Sequence, residues 1–153
     1  MKNVPTLWPI LIITLLITPF LIRCNGTAGP TPALDATIAQ HFEAIKTRDI
    51  DKLLATVHKE GVTLVLPSGK HSTSYEAYKN VNIKWFSDAA WSIDYEIVEK
   101  TVRKETAVVL TKIHYVSKTS NGESKSFDYY LTLILEYNKG KWELVFDQNT
   151  VIQ

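Results

Sequence analysis

The sequence predicts an α+β domain in which three helices come first and a curved, mostly antiparallel sheet follows. Three observations carry this expectation. Apolar residues recur at helical spacing between Leu34 and Phe86, the pattern changes to strict alternation from Trp91 onward, and the alternating runs are separated by short turns such as "TSNGE" and "NKGK". Helices gathered ahead of strands imply a sheet wrapped around the long first helix rather than alternating βαβ units.

The chain opens with residues 1–23, in which the stretch from Leu7 to Ile22 carries no charge and is interrupted by Pro9 and Pro19. That pattern is expected of a secretory signal or a short membrane anchor, being shorter than the about 20 apolar residues of a full span. Leu21 stands three residues before Cys24, as in a bacterial lipoprotein signal, whereas Arg23 occupies a place where that signal wants a small residue and so speaks against lipidation of Cys24. Cleavage after Gly26 or Ala28 is the alternative. Residues 24–31 read as a flexible tether and residues 32–153 as the folded domain. The expectation is an exported protein, periplasmic or extracellular, that meets a membrane only through its N-terminal segment.

Within the domain, Thr31 is a plausible N-cap with Pro32 at the first helical position, and Leu34, Ile38, Phe42 and Ile45 repeat up to Arg48. Asp49 caps a second helix through His58, and Gly61 ends it. "VTLVLP" predicts a short strand, "SGKHS" a turn, and Ser74 the cap of a third helix, "YEAYKNVNIKWF". Four long antiparallel strands then begin at Trp91, and alternation along them gives each side chain a face.

Composition bounds the function. With 45% hydrophobic and 22% charged residues over 153 positions, one hydrophobic core is expected. Two of the 17 basic residues, Lys2 and Arg23, precede Cys24, so the rest of the chain is close to neutral against its 16 acidic residues. No basic stripe remains, which argues against nucleic acid as a partner. Cys24 is the single cysteine, so no disulfide within the chain supports the fold.

The order of elements, with "RDIDKLLATVHKEGVTLVLPSG" after the first helix and a glycine hairpin before "WELVF", resembles the nuclear transport factor 2-like superfamily, including SnoaL-like cyclases and ketosteroid isomerases. The resemblance covers Pro32 to Gln153. It implies a cone-shaped fold enclosing a pocket, and commonly a homodimer. Carried over residue by residue, the helix-one tyrosine of the isomerases falls on His41, their basic aspartate on Leu66 and their second donor on Thr132. Leucine cannot take a proton, so isomerase chemistry is disfavoured.

The same comparison orients the strands. If Thr132 faces the pocket, so do Asp128 and Tyr130; in the last strand Val145, Asp147 and Asn149 point inward. Gln148 is then turned away, together with an apolar stripe of Trp142, Leu144 and Phe146 suited to a helix or a second copy. The expected ligand-binding residues are Leu66, Trp85, Trp91, Asp128, Thr132, Val145 and Asn149, for a small, partly apolar molecule. For catalysis without a cofactor, the candidates are His41 or Asp147 as base and Tyr130 as donor. His41, His58, His71 and His114 follow no metal-ligand spacing, and Ser68 beside Gly69 lacks a nucleophile-elbow pattern, so neither a metal nor a serine nucleophile is expected. An enzyme, a binding domain and a purely dimeric assembly module all remain compatible with these residues.

Overall fold

The computed structural model describes residues 31–152; the expected leader, the tether up to residue 30 and Cys24 lie outside the described residues. Three helices, α1 (Thr31–Thr47), α2 (Ile50–Leu54) and α3 (Tyr75–Phe86), pack on six strands. The strands are β1 (Thr63–Val65), β2 (His71–Ser72), β3 (Trp91–Arg103), β4 (Thr106–Lys118), β5 (Ser124–Asn138) and β6 (Lys141–Val151). Their order is β2-β1-β6-β5-β4-β3 in one curved, unclosed sheet. Among these described strands only the β1–β6 pairing is parallel, with Leu64 opposite Asp147.

α1 buries Leu34, Ile38, His41, Phe42, Ala44 and Ile45, a stripe that follows from its 3.6-residue repeat. Phe42 stacks on Tyr95 of β3 with ring centroids 3.9 Å apart, which fixes the helix over the sheet. The helix ends on Arg48, whose φ of 56° lies in the left-handed region, while Asp49 N–H reaches back to Ala44 O at 2.9 Å. A side chain at such a position is usually glycine, and arginine has a reason to be there. Its guanidinium lies 4.3 Å over the Trp91 ring and donates to the carbonyls of Asp88, Ala89 and Trp91, clamping the α3–β3 connection to the end of α1. Arg48→Ala is expected to lower stability by about 1–2 kcal/mol. Arg48→Gly loses the same contacts but regains about 1 kcal/mol of backbone strain, so its urea midpoint is expected to lie between the two.

α2 is shorter than predicted. Asp49 does cap it, accepting from Lys52 N–H at 3.0 Å, but the helix stops at Leu54 instead of reaching His58. The backbone beyond is captured by β6: Leu144 N–H donates to Thr56 O at 2.8 Å, His58 N–H donates to Leu144 O at 3.0 Å, and Val57 bridges Leu144. Tertiary pairing overrides local helical preference here. β2 likewise forms where only a turn was expected, because the chain folds back at Gly69 and pairs Val65 with His71. α3 runs as predicted, capped by Ser74 and burying Tyr78, Asn82 and Phe86 at four-residue intervals.

The β5–β6 hairpin closes on Lys139 and Gly140, both with positive φ (48° and 92°), the backbone of a two-residue turn that matches strand twist. Asn138 therefore faces Lys141, but the register does not persist. Ile134 pairs with Phe146 and Leu135 with Leu144, leaving Val145 as an extra residue, a β-bulge. This bulge changes which face each β6 residue occupies. Trp142 (1% exposed) and Leu144 belong to the core, so the expected outward stripe of Trp142, Leu144 and Phe146 is corrected: only Phe146 of the three sits on the outer face, half-buried. Beyond the bulge, Asp147 and Asn149 lie on the helix-facing side and Gln148 on the other.

Candidate functional site

A cavity of about 360 Å³ opens between α3, the end of α1 and the concave side of the sheet. Its walls are apolar: Ile45 from α1, Leu64, Leu66 and Pro67 around β1, Val81 and Trp85 from α3, Ile93 and Ile113 from β3 and β4, and Leu131 from β5. Tyr115, Phe127 and Tyr129 add an aromatic side, and Tyr78, Asn82, Asp147 and Asn149 supply polar groups. Phe127 is 48% exposed although it lines the cavity, which sets it at the mouth.

Asp147 is the single carboxyl among the lining residues, and it is only 7% exposed. Two elements converge on it. β6 turns it inward beyond the bulge, Asn149 two residues on donates from Nδ2 to its Oδ1 at 3.2 Å, and the Tyr78 hydroxyl of α3 hydrogen-bonds to it. Asn149 Nδ2 also reaches Val65 O at 3.1 Å, so β1 holds the donor in place. Burial raises the Asp147 carboxyl from its ordinary 3.8 to about 7, and the bonds from Asn149 and Tyr78 only partly oppose this. Tyr78 and Tyr129 are pushed upward, first by burial and then by the nearby Asp147 charge, and their hydroxyls stay neutral. The result is a carboxyl close to balance between its acid and base forms at neutral pH, in an apolar cavity.

The aromatic wall is continuous. Trp85 stacks on Trp91 with centroids 4.2 Å apart, Trp91 stacks on Tyr115 at 6.2 Å, and Tyr115 meets Phe127 at 5.1 Å. Trp91 Nε1–H donates to Trp85 O at 3.0 Å, locking the pair.

Of the expected site residues, Leu66, Trp85, Asp147 and Asn149 line the cavity; the rest lie elsewhere. Trp91 supports Trp85 without lining the cavity, and Val145 is taken up by the bulge. Asp128, Tyr130 and Thr132 sit on the opposite face of β5, because the buried phase is Tyr129, Leu131, Leu133 and Leu135. There Asp128 accepts from Lys112 Nζ at 2.8 Å and from His114 Nδ1 at 2.7 Å, beside a second depression of about 230 Å³. The Lys112 ammonium, and His114 after it, hold that exposed carboxyl below its usual range.

His41 is not in the cavity either. Thr56 Oγ1 donates its proton to Leu53 O at 2.7 Å, so at 2.8 Å it must accept from His41 Nδ1–H. That leaves Nε2 unprotonated, buried and without a partner among the described residues. Burial lowers the imidazole from 6.5 to about 4, which keeps it neutral. The trio His41, Asp147 and Tyr130 is therefore not assembled: one faces the helix core, one the cavity, one the outer sheet. Tyr78 and Asn82 were missed although α3 showed its buried face in their spacing; the signal was a polar pair, four apart, on that face.

Residues 34–150 match the SnoaL-like domain family. No curated protein is similar enough in sequence to match. Among solved structures, a candidate dehydratase of the nuclear transport factor 2-like family from Streptomyces avermitilis is 12% identical and superposes with a TM-score of 0.71, over 80% of this chain and 95% of its own. A ketosteroid isomerase-like protein from Erwinia carotovora atroseptica is 17% identical, with a TM-score of 0.69 over 81% and 97% of the two chains. A candidate calcium/calmodulin-dependent protein kinase type II association domain from Thiobacillus denitrificans is 12% identical, with a TM-score of 0.67 over 78% and 94%. At such identities the likeness speaks for the fold, whose members serve unlike purposes. Three helices on a curved, unclosed sheet are the fold these nuclear transport factor 2-like structures share, and the match that spans nearly all the described residues makes this chain a member of the SnoaL-like domain family.

Proposed function

We propose that the domain binds a small, largely apolar molecule in the cavity, with Asp147 as its polar anchor. The observation that carries this reading is one buried carboxyl, held by Tyr78 and Asn149, at the wall of an otherwise apolar cavity of about 360 Å³. Burying a carboxyl where two methyl groups would pack costs stability, and a ligand that uses the group is the function that offsets that cost. The size of the cavity favours binding over an assembly role in which side chains fill the interior. Export, with membrane contact through the N-terminal segment alone, belongs to the same proposal and rests on the apolar stretch before Arg23.

Asp147→Ala is expected to weaken binding at least about tenfold, whereas Gln148→Ala, on the other face, leaves it within about twofold. The measurement is affinity for apolar small molecules found by screening, with melting curves for both variants. Equal effects of the two substitutions would remove Asp147 from the site.

A second reading is favoured by one further observation. A carboxyl held at about 7 is suited to taking and returning a proton near neutral pH, so cofactor-free acid–base catalysis is supported with Asp147, not His41, as the base. A bell-shaped or sigmoidal rate profile with an apparent pKa near that value, lost in Asp147→Asn, is its test. A second copy of the chain is the proposed partner. Val108, Ile134 and Phe146 are cross-strand neighbours that form an apolar row on the outer sheet face, and light scattering at twice the monomer mass is expected.

A further inference from the structure

Asp147 is the one carboxyl in the cavity wall, and two of its polar neighbours are already engaged with it. Asn149 Nδ2 is already committed to Asp147 Oδ1 and Val65 O, and the Tyr78 hydroxyl is committed to Asp147. Both of these donors thus point at the carboxyl, while the Asn82 amide and the Tyr115 and Tyr129 hydroxyls add neutral polar groups to the wall. A carboxylate offers about four lone-pair directions, and two protein donors leave others for a ligand. No lysine, arginine or histidine is among the residues lining the cavity. At Asp147 the cavity therefore presents acceptor capacity and, whenever the carboxyl is ionised, a negative charge with no cationic side chain among the lining residues.

Three ligand classes respond differently to this field. An anionic ligand would bring a second negative charge into an apolar enclosure with no counter-ion, which is strongly unfavourable. A neutral alcohol or carbonyl compound leaves the ionised form of Asp147 uncompensated. A cation neutralises it and donates to its free lone pairs, and an apolar body attached to that cation has Trp85, Tyr115 and Phe127 among the residues of the wall to pack against. On the reading that this cavity is a binding site, we propose that its ligand is a protonated amine on a compact ring-shaped apolar body, with the ammonium on Asp147 and the body against Trp85, Tyr115 and Phe127.

The groups that face Asp147 make its titration simple. α3 contributes the Tyr78 hydroxyl, β5 contributes Tyr129, its own strand contributes Asn149, and the β1 residue opposite is Leu64. Both tyrosines stay neutral across the accessible pH range. Binding an ammonium requires the ionised carboxyl, so below about pH 7 the amine must displace a proton and its affinity falls by up to about tenfold per pH unit. A neutral ligand shows no such fall.

The test uses three probes of matched shape, naphthylmethylamine, naphthylmethanol and naphthoate, titrated calorimetrically into the full chain and into Asp147→Asn. At about pH 8 the amine is expected to bind at least about tenfold more tightly than the alcohol, and naphthoate most weakly. The preference for the amine should shrink at about pH 5.5 and vanish in Asp147→Asn, whose melting curve reports that it is folded. If the alcohol or naphthoate binds as tightly as the amine at the higher pH, the amine assignment is overturned while the cavity remains a binding site. An amine preference that survives in Asp147→Asn also overturns it, since the ammonium is then recognised elsewhere. Failure of all three, the neutral alcohol included, overturns the binding-site reading and the amine with it.

Discussion

Asp147→Asn is expected to stabilise the domain at about pH 8 and to leave it no more stable at about pH 4. The carboxyl is raised by burial from 3.8 to about 7 in the fold. A raised folded-state value contributes stability that is fully present below the unfolded pKa and is lost as pH rises through the folded one. Above neutrality the fold therefore holds a buried charge that the unfolded chain would solvate, a penalty of about 4 kcal/mol at roughly 1.4 kcal/mol per unit. Asparagine removes that charge but offers one acceptor to the two donors Tyr78 and Asn149, which returns about 1–2 kcal/mol of the gain. The net gain at the higher pH is about 2 kcal/mol or more, read as an increase in the urea midpoint. An unchanged midpoint there, with a normal slope, would show that Asp147 is solvated and that the cavity is not as enclosed as its geometry implies.

His41 should produce the opposite dependence. Its imidazole is lowered by burial from 6.5 to about 4, so its contribution is complete above the unfolded value and is lost as pH falls through the folded one, about 3 kcal/mol in all. The window from about pH 6.5 to 4 lies almost wholly within that of Asp147, where the carboxyl gains stability as pH falls. The two slopes nearly cancel, and the unmodified domain is expected to vary little with pH across this range on their account. Asp147→Asn exposes the histidine: its stability should drop by about 3 kcal/mol between about pH 6.5 and 4. Adding His41→Asn, whose amide can still donate to Thr56, should flatten the profile again at some cost in packing. A flat profile for Asp147→Asn alone would mean that Nε2 reaches solvent.

Much of the architecture was legible in the residues because local rules set it. The period-four spacing of Leu34, Ile38 and Phe42, the caps at Asp49 and Ser74, and the Lys139–Gly140 turn each act over a few neighbouring residues. The phase of β5 was also present, since Tyr129, Leu131, Leu133 and Leu135 form an unbroken apolar set on one side. Aligning Thr132 with a distant pattern carried less physical information than that set. Asp128, Tyr130 and Thr132 were turned to the wrong face for this reason.

Other features depend on contacts between distant parts of the chain. α2 stops at Leu54 because β6 offers its backbone a better partner at Thr56 and His58, and nothing in "IDKLLATVH" announces it. The bulge at Val145 places Trp142 and Leu144 on the same side as Asp147 despite their opposite parity, since strict alternation assumes that no residue is left over. Periodicity, caps and turns thus specify which segments become helices and strands, as these depend on backbone geometry and on each residue's neighbours. Which polar groups meet is a different matter. Asp147 acquires a value of about 7 only when the apolar walls close around it, against the opposing bonds of Tyr78 from α3 and Asn149 from β6, while His41 lies outside the cavity with its Nδ1 bonded to Thr56. Desolvation and hydrogen bonding act across space, between residues separated by up to half of the chain, and they come into being only when the core packs.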